Sequence, residues 1–177
     1  MSDSLSIQLA ELREAFDRSF AEPPARQGAD LEDLLAVKVA RRRYVLRLRQ
    51  VAGLVPDRPV TPLPGPVPAL LGVAGFSGST VAVYDLAAVL GHGTAQDPRW
   101  LVLTRGAPVV ALAFDDLDGH LRVPGDAVVE HTGGRAGERC VRGMVPRPDG
   151  SRPVVDVPAV VQVIRGLAGH PHSNEEP

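Results

Sequence analysis

The chain has 177 residues, of which 44% are hydrophobic, and a formal net charge of -2. It therefore supports one ordinary domain or two small ones, and it lacks the basic surface of a general nucleic-acid binder. Its single cysteine, Cys140, excludes an internal disulfide framework, and no stretch approaches the roughly 18 consecutive apolar residues of a membrane span. The N-terminus carries acidic residues where a signal peptide needs positive charge, so we expect a cytoplasmic protein without membrane insertion.

The first predicted element is an amphipathic helix over Ser4–Phe20. Its apolar residues recur at steps of three and four and form one narrow stripe: Leu5, Leu9, Leu12, Phe16 and Phe20. Two prolines end this helix, and Ala21–Asp30 is predicted to be a mobile linker. The helix either packs on its own domain or docks into a groove of a partner. We predict that residues 1–33 form a docking helix and a flexible linker.

From Leu34 the apolar pattern changes to period 2, which predicts strands. The alternating apolar positions are Leu35, Val37 and Val39, then Tyr44, Leu46 and Leu48. Between them, Arg41–Arg43 is predicted to be a turn whose charges are solvated. The pattern predicts a hairpin with one buried face.

Six prolines lie within residues 56–68, so this segment is neither a helix nor a central strand. We predict an extended segment along a barrel edge, with Val60 and Leu63 facing inwards. A free polyproline ligand is the alternative.

The stretch Leu70–Gly91 is predicted to form a strand, a glycine-rich turn, a second strand and a short helix. Val81 and Val83 alternate with less apolar neighbours in the second strand. Asp85 is predicted to cap the helix and Gly91 to end it.

The rest of the chain alternates short apolar runs with turns. The predicted strands are Trp100–Thr104, Pro108–Phe114, His120–Val123, Ala127–Glu130, Val141–Val145 and Pro153–Val157, followed by a helix over Pro158–Leu167 and a disordered tail over residues 168–177. This pattern is typical of an all-β barrel or sandwich. Similar sets of strands in Leu35–Gly91 and in Trp100–Leu167 indicate two small barrels within one domain over residues 34–167.

No motif in the sequence predicts catalysis, a cofactor or a metal site. A calcium loop around Asp116–Gly119 would have Phe114 and Gly125 at ligand positions, and neither is a ligand. Ser77 lacks the glycine two places on that a nucleophile elbow needs. A hydrolase that uses His120 or His131 is an alternative, and it requires a nucleophile within hydrogen-bond reach of the imidazole.

From about Leu34 to about Leu167 the sequence resembles CheW, the adaptor that couples chemoreceptors to the histidine kinase CheA. The family's usual motif is an apolar pair, Gly-Val/Ile, Asn-Leu-Arg-Gly, and an apolar strand that ends in Val-Asp-Leu. The matching segments here are Leu70–Gly78 with Val81–Leu86, Val60–Pro64, Tyr44, Val51, Gly106–Val123, Val141–Gly143 and Pro153–Val157.

The resemblance implies two five-stranded SH3-like barrels, short helices and no catalysis. One barrel would bind the regulatory domain of a CheA-like kinase, and the groove between the barrels would bind the signalling tip of a methyl-accepting chemoreceptor, with recruitment to receptor arrays. The candidate partner-binding residues are Val51, Gly53, Gly72, Phe76, Ser77 and Gly78. Alternatively, the glycines and Asp85 only shape the barrel.

The sequence departs from the family at polar positions. Gly75 and Ser77 stand where the family has Asn and Arg, and Gly53 stands where it has an acidic residue. The favoured hypothesis is a non-enzymatic adaptor in a chemotaxis-like system. The alternative is a divergent barrel that acts as a ligand-binding or regulatory module.

Overall fold

The structure is a computed structural model that describes residues 30–94, 97–130 and 138–168. Its strands are β1 (Leu31–Val39), β2 (Arg42–Arg47), β3 (Val51–Pro56), β4 (Thr61–Pro62), β5 (Leu70–Phe76), β6 (Ser79–Asp85), β7 (Trp100–Thr104), β8 (Ala111–Phe114), β9 (Asp116–Pro124), β10 (Val129–Glu130), β11 (Val141–Val145) and β12 (Arg152–Val155). Its α-helices are α1 (Leu86–Val89) and α2 (Val157–Ala168). The predicted N-terminal helix, its linker up to residue 29 and the tail from residue 169 lie outside the described residues.

The strands form two six-stranded sheets. The first sheet has the order β10-β11-β12-β2-β1-β9, and the second sheet has the order β3-β7-β8-β6-β5-β4. In each sheet one edge strand, β10 or β4, is only two residues long. The all-β class with two small barrel-like sheets is confirmed, and the implied five strands correspond to the five longer strands of each sheet.

The two sheets do not follow the two halves of the sequence. The first hairpin, β1 and β2, belongs to the same sheet as the C-terminal strands, because β9 pairs with β1 and β12 runs parallel to β2. The intervening strands β3 to β8 form the second sheet. The predicted division into Leu35–Gly91 and Trp100–Leu167 is therefore wrong, since local periodicity contains no information about which distant strands pair.

The first hairpin is buried on both faces. Leu34 and Ala36 pack in a small core on one side of the first sheet, whereas Leu35, Val37 and Val39 pack in a larger core on the other side. The prediction of one buried face is wrong, because this sheet covers its own core and also lies against the second sheet and the helices.

Three cores result from this arrangement. The central core joins the two sheets with α1 and α2, and includes Leu46, Leu86, Phe114 and Val160. The first-sheet core comprises Leu34, Ala36, Val45, Val123, Val128, Val145 and Val154, and the second-sheet core comprises Ala74, Phe76, Val81, Val83, Leu101, Ala111 and Ala113. Alternate residues of one strand thus belong to different cores.

Side-chain caps set the starts of both helices. The Asp85 carboxylate accepts hydrogen bonds from the backbone N–H groups of Ala87 (2.8 Å) and Ala88 (3.4 Å), so the predicted cap of α1 is confirmed. At α2, the Gln50 side chain donates to Asp156 at 2.7 Å and accepts from the Val157 N–H at 3.0 Å. Through Gln50, which precedes β3, this second cap connects the start of α2 to the second sheet.

The proline-rich segment follows the edge of the second sheet. Thr61 and Pro62 pair with Val73 and Gly72 of β5, and Val60 packs against the second-sheet core. Leu63 is 44% exposed, so the prediction that it faces inwards is wrong. The pairing of β4 with β5 ends at Pro62, so Leu63 lies beyond the paired residues.

Within the described ranges, no helix is long and apolar enough to cross a membrane.

Candidate functional site

Val51 and Gly53 lie at a β-bulge where β3 pairs with β7. The register of this pair shifts between the two residues, and the Val51 side chain is buried in the central core. The Val51 carbonyl accepts a hydrogen bond from Arg105 Nη2 at 3.2 Å. A Cβ atom added at Gly53 would lie 3.3 Å from Leu103 Cδ1, so the glycine lets β3 approach β7 closely.

Gly72 lies at a second bulge, between Leu70 and the rest of β5. Its φ is +150°, and an added Cβ atom would lie 2.0 Å from the Thr61 carbonyl oxygen. No side chain fits there, because the backbone of β4 occupies that space. Gly72 therefore permits the short edge strand β4 to cover β5.

Ser77 and Gly78 form the two-residue turn between β5 and β6. Both have positive φ, +45° and +81°, as a type I′ hairpin requires, and Phe76 pairs directly with Ser79. Both turn residues are exposed, and apart from its chain neighbours no described residue has an atom within 4 Å of a Cβ added at Gly78. The turn is therefore open to a partner.

Arg58, from the segment between β3 and β4, reaches this turn. Its Nε donates to the Gly75 carbonyl oxygen at 2.9 Å, and its Cζ lies 5.2 Å from the centroid of the Phe76 ring. Phe76 itself is buried in the second-sheet core. We call Arg58, Gly75, Phe76, Ser77 and Gly78 the hairpin-tip surface.

Sequence reasoning did not identify Arg58. The residue lies among prolines, 17 positions before Gly75, and only the pairing of β4 with β5 brings the two together. The only signal in the sequence was that Arg58 is basic and lies near the start of the proline-rich segment, which was predicted to follow a barrel edge.

Asp57, the acidic residue next to Arg58, forms an ion pair with Arg99. Arg99 Nε and Nη2 donate to the two carboxylate oxygens of Asp57 at 3.2 and 3.3 Å. The hydrogen bonds that Arg99 donates to the Asp57 carboxylate raise the pKa of Arg99. Asp57 is thus engaged by Arg99.

The predicted site residues fall into two groups. Phe76, Ser77 and Gly78 lie together on the hairpin-tip surface, with Gly72 farther along the same strand. Val51 and Gly53 lie on β3, at the opposite end of the strand order of the second sheet. Their roles in partner binding stay predictions, as do those of Leu5, Leu9, Leu12, Phe16 and Phe20, which lie outside the described residues.

The described histidines contact a tyrosine or an aspartate. His120 Nε2 lies 2.8 Å from Asp33 Oδ1 at an exposed site, and His92 Nε2 lies 2.5 Å from the Tyr44 hydroxyl. His131 is outside the described residues. These contacts place no serine or thiol nucleophile beside either imidazole.

Cys140 and the acidic side chains offer no reactive arrangement in the described part of the chain. Burial raises the pKa of the Cys140 thiol to about 11, which leaves the thiol protonated and unreactive near neutral pH. No group of three or more His, Cys, Asp or Glu residues within these ranges is placed to hold a metal ion.

Comparisons with known proteins agree with this architecture. The model of the CheW-like domain family matches residues 33–165. The crystal structure of the scaffolding protein TtCheW from Thermoanaerobacter tengcongensis superposes with a TM-score of 0.64 at 16% identity, over 71% of this chain and 88% of that chain. No curated protein matches the sequence.

Proposed function

The chain belongs to the CheW-like domain family, and on this premise we propose that it is a non-enzymatic adaptor that couples chemoreceptors to a CheA-like histidine kinase. The carrying observation is the extent of the family match, residues 33–165, which includes nearly all of both sheets and most of α2. The family is one of chemotaxis scaffold and adaptor proteins. The similarity to TtCheW supports the same fold.

We assign the partners by the family's arrangement. One barrel binds the regulatory domain of the kinase, and the groove between the two barrels binds the tip of a receptor. We assign the kinase to the barrel of the second sheet, because all six predicted partner-binding residues lie on its strands β3 and β5 or in the turn that follows β5. The adaptor is cytoplasmic and joins receptor arrays through these contacts, without inserting into the membrane or binding nucleic acid. The net charge of -2 is consistent with protein partners.

The contacts differ in chemistry from those of a typical member. Gly75, Ser77 and Gly53 replace polar or charged side chains that make directional hydrogen bonds. This difference favours one second candidate, a divergent CheW-like barrel that acts as a ligand-binding or regulatory module. A screen of small ligands by thermal shift separates the two functions, because a bound ligand raises the melting temperature.

Binding measurements test the adaptor function. The purified full chain is offered to the CheA-like kinase and to a cytoplasmic receptor fragment encoded in the same genome, with an unrelated kinase as the control. We expect saturable binding to both cognate proteins. If the chain fails to bind the kinase, or fails to bind the receptor fragment, at concentrations where known adaptors bind, the proposal is contradicted.

A role for the N-terminal helix is a separate part of the proposal. Its apolar stripe, Leu5 to Phe20, docks on a partner, so deletion of residues 1–30 weakens binding to the kinase or the receptor. A second variant replaces Leu9 and Phe16 with alanine in the full chain. It keeps the linker, so it tests the apolar stripe alone. Unchanged affinity of both variants for every partner excludes the docking role.

A further inference from the structure

The guanidinium of Arg58 is held in one position by two contacts from another part of the chain. Nε donates to the Gly75 carbonyl at 2.9 Å, and the group lies over the Phe76 ring, with Cζ 5.2 Å from the ring centroid. Such a cation–π contact attracts the guanidinium to the face of the ring. Phe76 is buried and therefore provides a rigid support.

The terminal nitrogens of Arg58 remain available. Arginine carries five N–H donors, and the contact to Gly75 uses only the one on Nε. Nη1 and Nη2 have no acceptor among the residues that the structure describes, and the side chain is exposed. Asp57, its neighbour, already pairs with Arg99. A pre-oriented pair of donors is thus exposed to solvent.

The surroundings leave room for a partner. Apart from the chain neighbours, no atom of the described residues lies within 4 Å of a Cβ added at Gly75 or Gly78, so there is open space beside these two glycines of the hairpin-tip surface. A planar guanidinium whose two terminal nitrogens are free matches a carboxylate, which accepts two parallel hydrogen bonds. The arrangement selects an acidic side chain on a protein surface.

The position of the hairpin-tip surface indicates which partner supplies the carboxylate. Phe76 and Val60 pack in the second-sheet core, not in the central core that joins the two sheets. The hairpin-tip surface is therefore part of the barrel formed by the second sheet rather than of the groove between the barrels. In the proposed function this barrel binds the kinase.

We propose that Arg58 is a partner-binding residue that receives a carboxylate from the regulatory domain of the kinase. This inference rests on the proposed function and adds to it the chemistry of one contact. Arg58 brings a guanidinium to the hairpin-tip surface from a different segment of the chain.

The test measures the affinity of full-length variants for the kinase and, separately, for the receptor fragment. We expect Arg58→Gln to weaken kinase binding by about 10- to 100-fold, because a charge-assisted bidentate contact is lost. Arg58→Lys retains the charge but not the planar pair of donors, so we expect an intermediate loss. Arg58→Gln also binds with a weaker dependence on salt concentration than the wild type.

The matched control is Arg122→Gln, which removes an exposed arginine of the first sheet that pairs with Asp33. It should change kinase affinity by less than about twofold. Thermal melting of each variant checks that it is folded. If Arg58→Gln is destabilised, Arg58→Lys replaces it in the comparison of affinities.

Three outcomes overturn the inference, and they are distinguishable. If the wild type binds the kinase and both Arg58 variants bind equally well, the contact does not exist. If Arg58→Gln loses receptor binding but keeps kinase binding, the assigned partner is wrong. If the wild type binds neither protein, the proposed function fails and the inference fails with it.

Discussion

At the scale of single residues, glycines on one strand have different physical roles. Gly72 is confined by the Thr61 carbonyl oxygen, whereas Gly75, on the same strand, has open space where a side chain would be. Gly143, in the first sheet, is confined in the same way as Gly72, since an added Cβ would lie 3.0 Å from the Val129 carbonyl oxygen of β10. In both sheets a two-residue edge strand crosses a buried glycine next to a register shift.

Substitution of these glycines should have opposite consequences. We expect Gly72→Ala to lower the free energy of unfolding by about 3 kcal/mol, through backbone strain and displacement of β4. Gly75→Ala, the matched control, should change it by less than about 0.5 kcal/mol. Urea unfolding of both variants provides the comparison, and equal stabilities would contradict the close approach of β4.

At the scale of elements, a buried arginine joins three strands of the first sheet. Arg47 of β2 donates to Glu32 of β1 at 2.9 Å and to Glu130 of β10 at 2.5 Å. The side chains of Arg47 and Glu32 are only 8% and 14% exposed, whereas that of Glu130 is 64% exposed. Burial opposes the charge of Arg47, yet its partners hold its pKa above the ordinary value.

Removal of this arginine should be costly. We expect Arg47→Met to reduce the free energy of unfolding by about 2 kcal/mol, because Glu32 loses its main partner while nearly buried. The reduction is smaller than the roughly 3 to 5 kcal/mol typical of a broken buried pair, since Arg49 Nη2 remains 3.5 Å from Glu32. Glu130→Gln is the matched control and should cost less than about 1 kcal/mol. Chemical denaturation that ranks Glu130→Gln as the more damaging change would disprove this order.

At the scale of the whole molecule, the two sheets are connected by the central core and by a polar contact. The Tyr44 hydroxyl of β2, in the first sheet, lies 2.5 Å from Nε2 of His92, which follows α1 and the second-sheet strand β6. Burial first, and the charge of Arg42 second, lower the pKa of His92. Protonation of His92 is therefore unfavourable in the folded protein.

The lowered pKa of His92 predicts a pH dependence with a definite sign. The unfolded chain binds a proton at His92 near pH 6.5, whereas the folded protein does so only at lower pH. The stabilisation is complete above about pH 6.5 and is lost as the pH falls through the folded-state pKa. Unfolding measured between about pH 8 and pH 5 should show this decline, and His92→Gln should reduce it.

Other shifted groups titrate outside that range. Hydrogen bonds from Arg122, Lys38 and Arg152 lower the pKa values of Asp33, Asp116 and Asp149 below 3.8, respectively. Their contributions are lost only below about pH 4. If stability declines between about pH 8 and pH 5 by the same amount in His92→Gln and in the wild type, the decline does not come from His92.

The sequence by itself determined the local elements and the family. Period-2 alternation identified most strands, Asp85 and Gly91 marked the ends of α1, and the motif around Leu70–Leu86 led to the CheW resemblance. These signals are local, because capping, turn geometry and alternation depend on neighbouring residues only.

The tertiary structure decided what depends on distant pairing. It placed the first hairpin with the C-terminal strands, buried both faces of β1, exposed Leu63 and brought Arg58 over Phe76. None of these follows from periodicity, since an apolar residue at a given position can face either of two cores. Which segments pair is settled by the packing of the whole chain, and that packing formed the hairpin-tip surface.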